Sequence, residues 1–185
     1  MRGSKKPIDI SFNKFGPWEK VMADLKSLNI TIRNSALYGQ KKAVIQYYNI
    51  VKNHLINQDL PWASLKPNYL KQKHSSSTLI ETGTYLSNIS YWRDSYVYYI
   101  GVKQGIFETT KGGKQGLELA ILASIHEYGS RKRNIAKRPL WKPSLDEMGG
   151  GQGMVNIIQD VLANKFRQMR YPIVKKKKIL RKTHY

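Results

Sequence analysis

Residues 79–143 open with LIETGTY (79–85), contain IHEYG (125–129) and close with KRPLWKP (137–143). This order of residues predicts a short capped helix, an aromatic hairpin, a glycine-rich excursion, an apolar helix ended by glycine, and a rigid exit through two prolines. The stretch contains no nucleophile beside a base and no grouped metal ligands, so it indicates a structural core and not a catalytic site.

The first half of this stretch predicts a short helix followed by paired strands. Thr82 is the expected N-cap, because its hydroxyl can accept free N–H groups of the next turn, and Tyr85 should then face inward. Ile89 to Arg93 and Tyr96 to Val102 are rich in β-favouring residues on either side of a polar turn. We therefore expect an antiparallel hairpin here, with both faces partly covered.

The second half is marked by glycines and an apolar helix. Lys103 to Gly116 lacks the Gly-x-x-x-x-Gly-Lys-Ser/Thr spacing of a phosphate loop, so it predicts a flexible hairpin or a lumen-facing loop. Leu117 to Tyr128 is apolar nearly all round and should be the most buried helix, with Gly129 ending it in a left-handed conformation. His126 and Glu127 have no metal-ligand spacing to another histidine, which favours hydrogen-bonded structural roles.

Two helices are predicted before this stretch. After Gly16-Pro17 an apolar stripe from Trp18 to Leu28 recurs at helical spacing, and Asn29 to Asn34 indicates a break in which Ile30 and Ile32 turn inward. A second helix from Ser35 to Asn57 should bury the face of Leu37, Val44, Tyr48, Val51 and Leu55 and expose that of Lys42, Gln46, Asn49, Asn53 and Asn57. The two together predict an antiparallel helical hairpin.

Loop signals separate these helices from the central stretch and precede a final helix. Gln58 to Ser77 holds two prolines and a serine run, with Trp62 and Leu65 as its anchors. Gly149 to Gly153 resembles a hinge, after which apolar residues recur at helical spacing to about Met169.

The bulk composition bounds the partners of the chain. Its 185 residues carry 32 Lys and Arg against 12 Asp and Glu, a formal charge of +20, and no cysteine. Such a charge favours nucleic acid or acidic neighbours as partners. The lack of cysteine excludes disulfides and cysteine-based zinc sites. A membrane span needs about 20 apolar residues, and no run approaches that length, so we expect no membrane partner.

Two basic segments are expected to contact DNA or an acidic partner. The loop after Gly129 carries Arg131, Lys132 and Arg133, and the C-terminal arm carries Lys175, Lys176, Lys177, Lys178, Arg181 and Lys182. No acidic residue interrupts either segment, and runs of this kind commonly bind nucleic acid.

These signals together predict an α+β fold with a small antiparallel sheet packed with helices, an N-terminal helical hairpin and a long C-terminal helix with a basic tail. We expect a polar lead over residues 1–16, a single domain over 17–170 and a basic arm over 171–185. Within the domain the expected parts are the hairpin 17–57, the loop 58–77, the core 78–148 and the helix 154–169.

Four segments in this order resemble the phage virion-morphogenesis family, whose members are tail-completion or minor tail proteins. The first is a Trp-x-x-Leu loop, the second an aliphatic-acidic-Thr-Gly segment, the third Ile-His-Glu-Tyr-Gly and the fourth a basic-Arg-Pro-aromatic exit. The residues that carry the resemblance are Trp62, Leu65, Leu79, Ile80, Thr82, Gly83, Tyr85, Ile125, His126, Glu127, Tyr128, Gly129, Arg138, Pro139 and Trp141.

The resemblance implies a structural protein of the virion without catalytic activity or cofactor. It implies a cyclic homo-oligomer of six copies or a multiple, seated between the tail tube or terminator and the head–tail connector. The protein would be made in the host cytoplasm and would end in the tail or neck of the particle. Contact between its lysines and genomic DNA in the lumen is our own inference from the charge.

Three alternatives remain open. The first is a nucleic-acid-binding protein that contacts its ligand through the basic C-terminal arm, although the chain carries no zinc knuckle and no RNP-like motif. A tail terminator is a second alternative. An enzyme is the third, and it would need carboxylates such as the pairs Glu118/Glu127 and Asp146/Glu147, which no histidine, cysteine or metal pattern supports.

Overall fold

A computed structural model of the chain describes residues 18–71, 75–80, 82–109 and 115–170. These residues form the expected α+β mixture. The chain divides into two compact units, Met1–Asn34 and Ser35–Tyr185. The elements are α1 (Trp18–Asn57), α2 (Pro67–Leu70), α3 (Thr84–Asn88), β1 (Ile89–Asp94), β2 (Val97–Val102), β3 (Phe107–Thr109), β4 (Gln115–Glu118), α4 (Leu119–Tyr128), α5 (Trp141–Glu147) and α6 (Gly150–Arg170).

The N-terminal helical hairpin is wrong, because α1 is one continuous helix of 40 residues. Asn29 to Asn34 contains neither glycine nor proline, and its residues cost at most about 0.7 kcal/mol each relative to alanine in a helix. That penalty is too small to end a helix. Ile30 and Ile32 are exposed and do not turn inward.

The second half of α1 supplies the centre of the core of the second unit. Val51 and Leu55 are fully buried, whereas Lys42 and the four polar residues predicted to share its face are all exposed. The predicted amphipathic face is therefore confirmed. Tyr47 is buried, whereas Tyr48, which was predicted on the buried face, is half-buried. Leu79, Tyr85, Ile89, Leu119 and Leu140 complete the same hydrophobic cluster.

The aromatic hairpin is confirmed. β1 and β2 pair antiparallel, with Trp92 opposite Tyr99. One face of this sheet contacts α1, where the rings of Tyr91 and Tyr48 meet edge to face at 5.4 Å. On the other face the rings of Trp92 and Tyr99 stack at 5.8 Å. The glycine-rich segment was expected to be a hairpin or a loop, and there β3 and β4 pair antiparallel as a hairpin. This pair forms a second two-stranded sheet, whereas we expected a single one.

Thr82 is not the N-cap of α3, so that prediction is wrong. The N-cap is Gly83, whose φ of 83° turns the chain one residue later than expected, and it makes no side-chain cap. The Thr82 hydroxyl nevertheless accepts the Thr84 N–H at 3.4 Å, as expected, and also donates to Glu108 Oε1 at 2.8 Å. The inward position of Tyr85 is confirmed, since this side chain is buried.

Helix α4 is not the most buried helix of the chain. Leu119 is its only buried residue, while Ile121 is 49% and Tyr128 74% exposed. An apolar sequence all round a helix does not show which side has a partner within the same chain. Gly129 does end the helix with a positive φ of 78°, and a Cβ there would lie 3.1 Å from the Ile135 carbonyl oxygen.

Helix α6 begins at Gly150, earlier than the hinge-like glycines suggested. A Cβ at Gly153 would lie 1.8 Å from the Met148 carbonyl oxygen, so the helix start requires glycine at this position. Helices α6 and α1 approach closely at Gly39, where a Cβ would be 2.9 Å from the Ile158 Cα.

The predicted polar lead and basic arm lie outside the described residues. Within the described ranges, no helix combines the length and the apolar character that a membrane crossing requires.

Candidate binding cleft and the motif cluster beside it

Glu127, in the last turn of α4, caps the beginning of α5. Its Oε2 accepts the N–H groups of Leu140 at 2.7 Å and Trp141 at 3.0 Å, and its Oε1 accepts that of Lys142 at 2.9 Å. The first N–H groups of a helix have no partner within the helix, and a carboxylate at that end also interacts favourably with the helix dipole. Glu127 therefore fixes the direction in which the chain leaves the apolar helix.

The loop before α2 is held against the same exit segment. The Trp62 indole N–H donates to the Pro139 carbonyl at 2.7 Å, and the Arg138 Nε–H donates to the Ala63 carbonyl at 3.2 Å. Both bonds join segments more than 70 residues apart in sequence. Trp62 is thus the loop anchor that its sequence context predicted.

Two buried tyrosines, Tyr47 and Tyr85, interact with Trp141. The Tyr47 hydroxyl donates to the Trp141 carbonyl at 2.6 Å, and the two rings meet edge to face at 6.3 Å. Burial raises the pKa of Tyr47 to about 12, and the negative charges of Glu127 and Asp146 act in the same direction. Burial also raises the pKa of Tyr85, although a hydrogen bond with Trp141 opposes the shift. Both phenols therefore stay protonated at neutral pH and act as hydrogen-bonding groups, not as bases.

We call Trp62, Glu127, Arg138, Pro139 and Trp141 the motif cluster. Their polar side chains bond to backbone atoms of the neighbouring segments. Such bonds position the chain. The roles found for Trp62 and Glu127 are accordingly structural.

A cleft of about 860 Å³ opens beside the motif cluster. Leu65, Leu79, Tyr85, Leu122 and Ile135 contribute apolar lining, and the half-buried Glu108 and His126 also line it. A volume of this size falls in the range of ligand pockets, about 300–1,000 Å³. The cleft is therefore large enough to receive side chains or a short segment of another molecule.

The rim of the cleft is strongly basic. Five cationic side chains line it: Lys66, Arg131, Arg133, Lys137 and Arg138. Among the described residues one carboxylate also lines the cleft, that of Glu108, whose Oε1 accepts the Thr82 hydroxyl. Glu108 Oε2 is buried and has no hydrogen-bond partner in the part of the chain that the structure describes. The site thus combines an apolar floor with an excess of positive charge.

The structure brings many of the predicted residues to this place. Lining the cleft are Leu65, Leu79, Tyr85, His126, Tyr128, Gly129, Arg131, Arg133 and Arg138. The other predicted motif residues do not line it: Trp62, Ile80, Thr82, Gly83, Ile125, Glu127, Pro139 and Trp141. Lys132 is exposed in the same basic turn as its neighbours. The basic arm, Lys175 to Lys178 with Arg181 and Lys182, lies outside the described residues.

Sequence reasoning missed two contributors to the region. Lys66 lies on the rim and Glu108 in the cleft, and no short motif links their segments, whereas Lys137, also on the rim, is the basic residue that begins the exit motif. His54 was also missed: its Nδ1 lies 2.6 Å from Asp59 Oδ1 and its Nε2 2.9 Å from Glu147 Oε2. The spacing of five residues between His54 and Asp59 at a helix end could have suggested the first contact, but nothing local indicates Glu147.

Within the described ranges, no three His, Cys, Asp or Glu side chains come together in a way that could hold a metal ion. Comparison with known proteins identifies no relative: no family model matches the sequence, and neither the curated proteins nor the solved structures include a significant match.

Proposed function

We propose that this chain is a structural subunit of a phage tail or neck, of the tail-completion or head–tail joining kind, and that it works by forming a ring with its own copies. The observation that supports this most is the motif cluster. Trp62, Glu127 and Arg138, from three of the four segments that carry the resemblance, direct their polar groups at backbone atoms. Residues used in this way build a frame for contacts and perform no chemistry.

Exposed apolar side chains on two separate helices favour assembly. On α1, the side chains of Trp18, Met22 and Leu25 are each at least half exposed. On α4, Ile121 is 49% and Tyr128 74% exposed. Exposed apolar surface of this kind commonly marks contacts with other proteins. A ring needs two different contact surfaces on each subunit, because each copy touches one neighbour with each of them. Two apolar surfaces suit that requirement.

The size of the purified protein in solution tests the proposal. Native mass spectrometry and negative-stain electron microscopy should show a closed ring, with six copies or a multiple as the resemblance implies. Antibodies against the chain should label purified virus particles at the tail or neck. A chain that stays monomeric at high concentration and is absent from the particles would overturn the proposal. The position of the label relative to the tail tube also separates a completion protein from a tail terminator.

Nucleic-acid binding is the second candidate, and the exposed turn of Arg131, Lys132 and Arg133 favours it. A dedicated binder should hold a short DNA duplex at physiological salt, and its affinity should fall steeply across a salt series as counterions are released. A monomer with that behaviour would favour this second candidate over the ring.

A further inference from the structure

We propose that the basic cleft receives an acidic protein segment that carries an apolar side chain. The proposal deepens the proposed function and rests on it for one point, that the segment belongs to a neighbouring protein of the assembly. The chemistry of the segment itself follows from the lining of the cleft.

The floor of the cleft favours an apolar group. Leu79 and Tyr85 are already buried in the hydrophobic core, whereas Leu65, Leu122 and Ile135 also line the cleft and are only half-buried. An occupant that covers these three side chains removes apolar surface from water, which stabilises the complex. A phosphate backbone could not provide that contact, because its outer surface is charged along its whole length. The occupant should therefore insert a side chain such as leucine or phenylalanine.

The rim selects the charge of the occupant. The described lining holds one carboxylate against five cations, which are Lys66, Arg131, Arg133, Lys137 and Arg138. Carboxylates on either side of the apolar group would therefore be attracted and lysines repelled. Exposed Tyr69 also lines the cleft, and tyrosines are common among the residues that dominate protein interfaces.

A second copy of this chain is a poor source of the segment. The chain has 12 acidic residues, and its only adjacent pair is Asp146 and Glu147. Asp146 already pairs with Lys142, and Glu147 with His54. The acidic segment is therefore expected from a different protein.

Binding of fluorescein-labelled short peptides, followed by fluorescence anisotropy, tests the proposal. The panel consists of aspartate and glutamate residues around a central leucine, isoleucine, phenylalanine or tryptophan, with a charge-matched peptide that has alanine at the centre. At least one member should bind at least about 10-fold more tightly than the alanine peptide, which corresponds to about 1.4 kcal/mol. Equal binding by all members would overturn the role of the apolar floor.

Two protein variants with the same change in charge locate the site. The R131E/R133E variant should lose at least about 10-fold in affinity, or about 1.4 kcal/mol. The K41E/K42E variant alters two exposed lysines of α1 that do not line the cleft and should bind within about 2-fold of the unaltered chain. Equal losses in both variants would show attraction by overall charge alone and would overturn the proposal. Circular dichroism and the thermal midpoint verify that both variants are folded.

Single-stranded and duplex oligonucleotides serve as competitors. If DNA displaces the best peptide at equal charge concentration and R131E/R133E abolishes DNA binding selectively, the cleft is a nucleic-acid site and the proposal fails. Native mass spectrometry of the same samples reports the ring separately. Peptide binding without a ring would contradict the proposed function and leave this inference standing. A ring without cleft-dependent peptide binding would contradict this inference and leave the proposed function standing.

Discussion

Replacing Glu127 by glutamine tests the claim that this side chain fixes the start of α5. The carboxylate accepts three backbone N–H groups, two at Oε2 and one at Oε1. Glutamine keeps one acceptor oxygen and places an NH₂ donor where the other oxygen was, so at least one N–H would face a donor. Hydrogen bonds to charged groups contribute about 1.5–3 kcal/mol each and are not additive. We therefore expect E127Q to lose about 2–4 kcal/mol of the free energy of unfolding.

Chemical denaturation measures this loss, and thermal unfolding provides a second estimate. For a chain of this length, 1 kcal/mol corresponds to about 2–4 °C in the midpoint, so a decrease of about 4–16 °C is expected. The matched control is D146N, which removes the same charge from the exposed pair with Lys142 and should cost at most about 1 kcal/mol. If E127Q and D146N agreed within about 0.5 kcal/mol, Glu127 would not be the cap that its geometry indicates.

Three further predictions follow from specific contacts. The folded-state pKa of Tyr47 is raised from 10.0 to about 12. The contribution of this group to the free energy of unfolding should therefore be fully present below pH 10 and be lost between pH 10 and 12. Y47F should reduce that loss in alkaline denaturation curves. W62F removes the indole donor to Pro139 and should cost about 1 kcal/mol, with faster hydrogen exchange in residues 60–66; unchanged exchange would mean that the loop is anchored elsewhere. G39A should lower the free energy of unfolding by about 1–3 kcal/mol in chemical denaturation, because its Cβ would meet the backbone of Ile158. G151A is the matched control on α6, where a Cβ meets nothing within 4 Å, and it should raise the free energy of unfolding by up to about 1 kcal/mol.

Short-range sequence patterns correctly predicted the elements that are determined by residues close together in the sequence. The hairpin of β1 and β2 followed from β-favouring residues around a polar turn, and the buried face of α1 followed from its 3.6-residue period. The predicted break from Asn29 to Asn34 was wrong. Residues of weak helix propensity resemble a helix end when the contacts of the flanking residues are unknown. The burial of α4 was wrong for a related reason: hydrophobicity on every side shows that a helix seeks partners and does not show how many lie within its own chain.

The cleft could not be predicted, because its lining comes from separate parts of the chain. Leu65 and Lys66, then Glu108, then residues from Leu122 to Arg138 meet only after the loop has folded back onto the exit segment. The basic turn at Arg131 was identified as a candidate contact, but the apolar floor beside it depends on Leu79 and Tyr85. No short-range spacing relates these two groups, so only the tertiary structure shows that they share one site.

Two of the rim arginines, Arg131 and Arg133, are not part of the frame of the cleft. Trp62, Glu127, Arg138 and Tyr47 all bond to backbone atoms, which are present whatever side chains their partners carry. Arg131 and Arg133 lie in the turn closed by the backbone bridge between Ser130 and Ile135, so the backbone there also holds the turn in place. Reversing the charge of these two arginines should therefore leave the walls of the cleft where they are. A loss of peptide binding in R131E/R133E would then report on recognition and not on folding, which is why that variant can decide what the cleft binds.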